Sequence, residues 1–255
     1  LVADSNQQQN RIAALIYSGV FNSRTGVNNT NQFSVGTDIT KSTDPANGSI
    51  QRLYAEDTNL IIFQEDKVSR ALIDKDAIYS AEGNAAVTST NLVIGQIVPY
   101  AGEYGISTNP ESFAVYGYRK YFTDKNRGVV LRLSKDGITE ISSYGMHDFF
   151  RDELSSLSVD KIVGSWNNHT KDYNISIQTS TTYKTLTFDE GVLGWTTFLD
   201  FKPSQAFSLN NLYYTFNTGK LYQHYLGNYG QFYGVTYDSN VTIVLNSHPS
   251  VVKVF

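Results

Sequence analysis

The chain has 255 residues, of which 13% are aromatic and only 17% charged, and its formal net charge is -4; charged residues make up roughly 25% of an ordinary soluble domain. So small an imbalance, with no basic run longer than Arg119-Lys120, excludes a surface built to grip a phosphate backbone. With no cysteine at all, disulfide frameworks, thiolate nucleophiles and Cys-ligated zinc are excluded together.

At this length one large all-β domain is expected rather than two small ones, because β folds often use that much chain for one domain. No apolar run approaches the roughly 20 residues that span a bilayer, and Leu1-Val2-Ala3-Asp4 carries no signal-peptide pattern, so no membrane insertion is expected. The chain starts without Met, and Val251-Val252-Lys253-Val254-Phe255 reads as an unfinished strand. Both features give the expectation of a piece of a longer polypeptide. Five Asn-x-Ser/Thr triplets, among them Asn168-His169-Thr170 and Asn174-Ile175-Ser176, are read as chance occurrences in a chain rich in those residues.

Residues 1–48 are rich in Asn, Gln, Ser, Thr and Gly, with Asn28-Asn29-Thr30-Asn31-Gln32 and Asp44-Pro45-Ala46-Asn47-Gly48 as loop signals. This segment is expected to be extended or irregular and held by its neighbours, with a short helix over Arg11 to Ile16. Residues 49–255 read as a propeller-like β domain. Short β-branched and aromatic runs broken by turn residues predict strands at Leu60-Ile61-Ile62-Phe63, Val129-Val130-Leu131-Arg132-Leu133 and Val241-Thr242-Ile243-Val244-Leu245. A helix is predicted from Tyr144 to Leu154, where Met146, Phe149, Phe150 and Leu154 recur at helical spacing, packed over an edge or end of the sheets.

Four hairpins superimpose as a repeat: Ile61 to Arg70, Tyr121 to Arg132, Val163 to Ile175 and Tyr213 to Gln223. Their markers Phe63, Phe122, Trp166 and Phe216 stand 59, 44 and 50 residues apart. A period of about 40–50 residues with four strands per unit is what propeller blades need, since each small sheet hides its faces only against its neighbours. The fold class is therefore all-β, a propeller-like array of small antiparallel sheets with one short helix; the alternative is a β-sandwich.

The candidate chemistry reads mostly as structure. His147, His169, His224 and His248 share no spacing that sets up a metal site. Asp148 and Asp152 stand at i and i+4 on the predicted helix, where Arg151 and the apolar stripe make them a solvated face rather than an acid/base pair. Asp124-Lys125-Asn126-Arg127-Gly128 has alternating oxygen ligands and a Gly, as in a calcium loop, but lacks the later bidentate acid. The competing reading is a hairpin loop with Asp and Asn bonding local backbone and Gly at positive φ. Asp74-Lys75-Asp76 fails the calcium pattern at Ile78.

Ser134-Lys135-Asp136-Gly137 is similar to the turn motif of sialidase-type propellers, but Asp and Gly are adjacent and the trailing Trp is missing. There is no Gly-x-Ser-x-Gly elbow and no phosphate-binding Gly loop. No catalytic, cofactor-binding or metal residue is assigned, and substrate-binding residues are left open. The last third holds Tyr213, Tyr214, Phe216, Tyr222, Tyr225, Tyr229, Phe232, Tyr233 and Tyr237 within 25 residues. These rings suit burial in blade cores and subunit contacts, or else a sugar-stacking platform.

Two stretches carry a resemblance. The first runs from Leu53 to Ala77, then Gly105-Ile106-Ser107-Thr108-Asn109-Pro110-Glu111-Ser112-Phe113, Tyr121-Phe122-Thr123-Asp124-Lys125-Asn126-Arg127-Gly128 and Val130 to Ser134. The second comprises Thr185 to Glu190, Gly194-Trp195, Ser208 to Phe216, Gly219 to His224 and Pro249 to Lys253. In this order they resemble the large tail proteins of short-tailed bacteriophages, most closely the muzzle (nozzle) proteins of crAss-like phages, over roughly residues 25 to 255. The resemblance implies a virion structural protein of a phage tail and not an enzyme. It implies self-association in a ring, attachment to ring or adaptor proteins, and a channel through which genomic DNA leaves without tight binding. The alternative is a receptor- or glycan-binding module of a phage tail.

Overall fold

The short β-branched and aromatic runs fold, as expected, into an array of small antiparallel sheets, with one α-helix among the described residues. The computed structural model describes residues 10–34, 39–56, 58–79, 85–156 and 158–243, with backbone alone over 74–79 and 85–92. Near the start, β1 (Ala14–Ile16) and the hairpin of β2 (Phe21–Asn22) and β3 (Val27–Asn28) precede β4 (Thr40–Ser42), which pairs back onto β1. The first four-stranded sheet contains β5 (Ile50–Ala55), β6 (Asn59–Gln64), β7 (Val68–Tyr79) and β8 (Ala85–Pro99). The second contains β9 (Ala114–Tyr116), β10 (Arg119–Asp124), β11 (Val129–Ser134) and β12 (Gly137–Glu140).

After α1 (His147–Ser155) comes the third sheet: β13 (Val159–Asn167), β14 (Asp172–Thr179), β15 (Tyr183–Asp189) and β16 (Gly194–Leu199). A fourth, of three strands, joins β17 (Gln205–Leu209), β18 (Leu212–Asn217) and β19 (Lys220–Gln223), and is followed by the hairpin of β20 (Gln231–Phe232) and β21 (Val235–Thr236). Each of these sheets is a simple meander in chain order. At the β17–β18 turn Asn210 and Asn211 both take positive φ, 51° and 61°. That is the backbone a tight two-residue hairpin demands, and Asn tolerates it better than other side chains do.

The sheets stack face to face, and alternation along single strands shows it. On β6, Ile61 and Phe63 enter a cluster with Phe122 and Leu131 of the second sheet, while Ile62 between them enters another with Leu15 of β1 and Ile94 of β8. On β10, Phe122 faces the first sheet, whereas Tyr121 joins a cluster with Tyr173, Ile175 and Phe188 of the third. Successive side chains of a strand point to opposite faces, so strands buried on both sides can only lie between layers. Three apolar clusters on the faces of these sheets fit an all-β array of small antiparallel sheets in more than two layers.

The first strands of successive sheets also meet. β13 lies against both β9 and β17, Arg52 of β5 donates to the Pro110 carbonyl at 3.0 Å, and Tyr54 packs on Phe113 with ring centroids 5.6 Å apart. Between the second and third sheets, α1 contributes Phe150 and Leu154 to the core, with Phe150 4.5 Å from the Trp195 ring. Among the described residues no helix is long and apolar enough to cross a membrane.

Several expectations need correction. Residues 14–16 form a strand, not part of a helix over Arg11 to Ile16: β4 offers pairing partners, and Leu15 is buried against Ile62 and Ile94. The helix begins at His147, after Gly145 at φ 77° has closed a turn through Tyr144. The hairpin from Val163 to Ile175 joins the first and second strands of its sheet, whereas the hairpins from Ile61 and from Tyr121 join the second and third. The strand equivalent to β10 is thus β14, and Trp166 is not an equivalent marker. Residues 241–243 form no strand, and Val241 and Ile243 are exposed; Val244, Leu245 and the stretch Val251 to Phe255 lie outside the described residues.

Candidate functional site: an aromatic cleft in the last sheet

The aromatic-rich last third divides between core and surface. Tyr213 of β18 is buried and exchanges a 2.7 Å hydrogen bond with Ser165 across to β13. On the opposite face of β18, Tyr214 stacks on Phe207, centroids 5.6 Å apart. After β19 the chain turns back over the sheet. Gly227, Gly230 and Gly234 take positive φ there, and so do Tyr225 (61°) and Tyr233 (54°). A bulky aromatic in that region is uncommon, because its Cβ crowds the backbone.

Specific bonds hold the returning loop. The His224 amide donates to the Tyr213 carbonyl at 2.9 Å and the Tyr237 amide to Gly230 at 2.7 Å. The Tyr233 hydroxyl donates to Thr215 Oγ1 at 2.9 Å, and Thr215 Oγ1 lies 2.8 Å from His224 Nε2. Thr215 carries one proton and accepts Tyr233's, so it donates its own to the unprotonated Nε2 of a neutral imidazole. Burial pushes His224 down to about 4 and Tyr233 up to about 12. Both are uncharged near neutral pH.

The loop and sheet enclose a cleft of about 560 Å³. Its walls include Tyr222, Tyr225, Tyr229, Phe232 and Tyr233, and its lining contains no Asp, Glu, Lys or Arg. Tyr225 stacks on His169 of the β13–β14 turn, centroids 4.2 Å apart and planes 25° off parallel, and its hydroxyl accepts from Asn167 Nδ2 at 2.6 Å. Asn174 of β14, 3% exposed, also lines the cleft. Its Oδ1 accepts from Thr187 at 2.7 Å, but its Nδ2 makes no well-formed hydrogen bond, with the Tyr213 hydroxyl as its polar neighbour. Tyr229 stands fully exposed at the mouth.

The remaining candidates stay apart. His147 sits exposed at the start of α1 near Glu140 and Asp148, His169 and His224 meet the cleft through ring packing, and His248 is outside the described residues. Among the described residues no group of three or more His, Asp or Glu is placed to hold a metal ion. Asp148 and Asp152 lie on the solvated face of α1, each 2.8–3.0 Å from Arg151.

Asp124-Lys125-Asn126-Arg127-Gly128 is the β10–β11 hairpin loop, with Gly128 at φ 69°. Asp124 is fully buried and accepts from the Arg127 amide at 3.2 Å. Asp74-Lys75-Asp76 falls within β7, and its side chains lie outside the described residues. Asp136 accepts from Ser134 inside the β11–β12 turn.

Sequence reasoning singled out the tyrosines but did not join to them Asn167, His169, Asn174 and Phe201, which come from two other parts of the chain. A usable signal was the spacing Gly227, Gly230, Gly234 among aromatics, which marks a loop rather than strands. Comparison of the chain with protein-family models gives no match, and comparison with curated proteins gives none either.

Proposed function

We propose that this chain is a structural part of a short phage tail, a muzzle (nozzle) protein at its end, acting by shape and attachment rather than by catalysis. One observation supports the reading: three of the strings that resemble muzzle proteins, all from the first stretch, meet at a single joint between the first two sheets. From the β6–β7 turn, Gln64 and Glu65 carbonyls accept the Ile106 and Ser107 amides at 3.0 and 2.9 Å. From the β10–β11 loop, Asp124 accepts the Gly105 amide at 3.0 Å and the Ser107 hydroxyl at 2.9 Å. Arg127 then bridges Asp124 and Asp66 at 3.1 and 3.2 Å. Residue types that hold layers in register are what a load-transmitting part requires, and such a joint leaves little room for their replacement.

Large apolar side chains also remain exposed, including Ile12, Ile16, Phe21 and Phe33 before the first sheet and Phe198, Leu209 and Leu221 after it. Copies of the chain in a ring, with ring or adaptor proteins above, would cover such surface. A duct for genomic DNA calls for weak contact with phosphate, and a net charge of -4 suits it. The virion is the corresponding location.

Electron microscopy of the particle that carries this chain tests the proposal. The expected result is a rotationally symmetric ring at the tail end into which the four sheets fit. A free monomer that hydrolyses polysaccharide, and loses that activity on one Asp or Glu substitution, overturns it.

A further inference from the structure

The cleft of the last sheet is not explained by assembly alone. Assembly needs a covered face, whereas the chain from Tyr222 to Gly234 builds a concave one, with two tyrosines held at positive φ. Backbone strain of that kind persists where the surroundings over-determine it, and it concentrates at ligand sites. The deep wall supplies a second observation: Asn174, 3% exposed, has a side-chain NH₂ without a well-formed partner. However the amide is turned, one of its two polar atoms lacks the good bond that Thr187 gives the other. Buried amides without a partner are uncommon, and a ligand hydroxyl would complete this one.

The lining decides the chemistry of the occupant. It has no Asp, Glu, Lys or Arg side chain, and burial keeps the His224 imidazole neutral near pH 7. A phosphate, carboxylate or ammonium ligand would enter without a counter-ion, at the full cost of its desolvation. Purely apolar ligands fit poorly too, because Asn174, Gln223 and several phenol hydroxyls face the space. What remains is a neutral molecule with flat C–H faces for Tyr rings and hydroxyls for amides and phenols. Tyr225, one face covered by His169 and more than half exposed, is a rigid platform of that sort, and Tyr229 supplies a second at the mouth. A volume of about 560 Å³ accommodates a short oligosaccharide.

We propose that this cleft binds a neutral saccharide, with Tyr225 and Tyr229 as stacking surfaces and Asn174 as the deep polar contact. The site does not depend on the tail-end role: a ring-forming part with this cleft, or a free module with it, would bind the same class of ligand. The measurement is binding of the purified full chain to an immobilised panel of neutral, sialylated and sulfated oligosaccharides, followed by titration calorimetry with the best neutral glycan. A neutral glycan is expected to bind, with affinity lowered about tenfold or more by Tyr225→Ala. Tyr225→Phe keeps the ring but loses the bond from Asn167, and is expected to retain most of the affinity. Tyr229→Ala, at a fully exposed position, reports on stacking without disturbing the fold. The inference is overturned if no neutral glycan binds the folded chain. Tighter binding of charged glycans, or affinity unchanged in both alanine variants, overturns it as well.

Discussion

The Tyr121 hydroxyl donates to Glu190 Oε1 at 2.6 Å, tying the second strand of one sheet to the β15–β16 turn of the next. Glu190 Oε2 in turn accepts from Arg132 at 2.8 Å, with Arg119 at 3.6 Å. Burial and the neighbouring carboxylate push the Tyr121 phenol well above its ordinary value, so it stays protonated and able to donate. The expected cost of Tyr121→Phe is about 1 kcal/mol, one hydrogen bond. Glu190→Ala, which leaves a nearly buried Arg132 without its anion, is expected to cost about 3 kcal/mol. Denaturant midpoints check both values, and a double variant whose losses simply add would show that the two side chains do not act together.

Asp124 should be more sensitive than its place in a hairpin loop suggests. Its four hydrogen bonds reach Gly105, Ser107, the Arg127 amide and the Arg127 guanidinium. Asp124→Ala strands those donors at the joint of two sheets and is expected to destabilise the chain by about 3 kcal/mol. Asp124→Asn keeps the shape while losing the charge and one acceptor, so about half that loss is expected. Equal, small effects in thermal unfolding would show that the joint does not hold the layers. Asp148→Ala, on the solvated face of α1, serves as the control and should cost only a few tenths of a kcal/mol.

Fold class and hairpins were legible because they rest on local pattern: the unbroken apolar run Leu60-Ile61-Ile62-Phe63 reports a strand buried on two faces, and Asp124 to Gly128 report a hairpin loop. Phase within the repeat was not legible. Trp166 of β13 and Phe122 of β10 look alike in sequence, yet only the pairing partners reveal that one strand is first in its sheet and the other second. Residues 14–16 went wrong for a similar reason, since a three-residue apolar run takes its structure from whatever it pairs with. The cleft was half legible. Its tyrosines and glycines are contiguous, but Asn167, His169 and Asn174 arrive from the third sheet, some fifty residues earlier, through packing that no local pattern encodes.

Gly164 shows a different use of glycine from the turn positions. In β13, a methyl group at Gly164 would overlap the Ser112 carbonyl oxygen, and it would sit 2.8 Å from the Tyr173 hydroxyl that donates to that same oxygen at 2.9 Å. The backbones must therefore approach too closely for any Cβ. Gly164→Ala is expected to lower stability by about 3 kcal/mol or more, as overpacking that cannot relax into a side chain. Gly137, at φ 108° with open space around its missing Cβ, pays only in backbone strain, and Gly137→Ala should cost about 1 kcal/mol. Reversal of that order in urea titrations would mean that the sheets can separate to admit the methyl.

His224 provides a pH test with a definite sign. Its folded value is depressed to about 4 from an ordinary 6.5 because burial disfavours the imidazolium, and the groups that face it, Thr215, Tyr213 and Tyr233, bear no charge to compensate. Between those two values the unfolded chain binds a proton that the folded chain refuses, so stability is present above about pH 6.5 and declines as pH falls toward 4. Carboxylates titrate over part of the same range, and comparison with His224→Gln isolates the imidazole. The stability difference between wild type and that variant is expected to move by about 2 kcal/mol in the variant's favour from pH 7 to pH 4.5. A difference that stays constant over this interval would show an imidazole open to solvent, and with it a cleft that does not close around Thr215 and Tyr233.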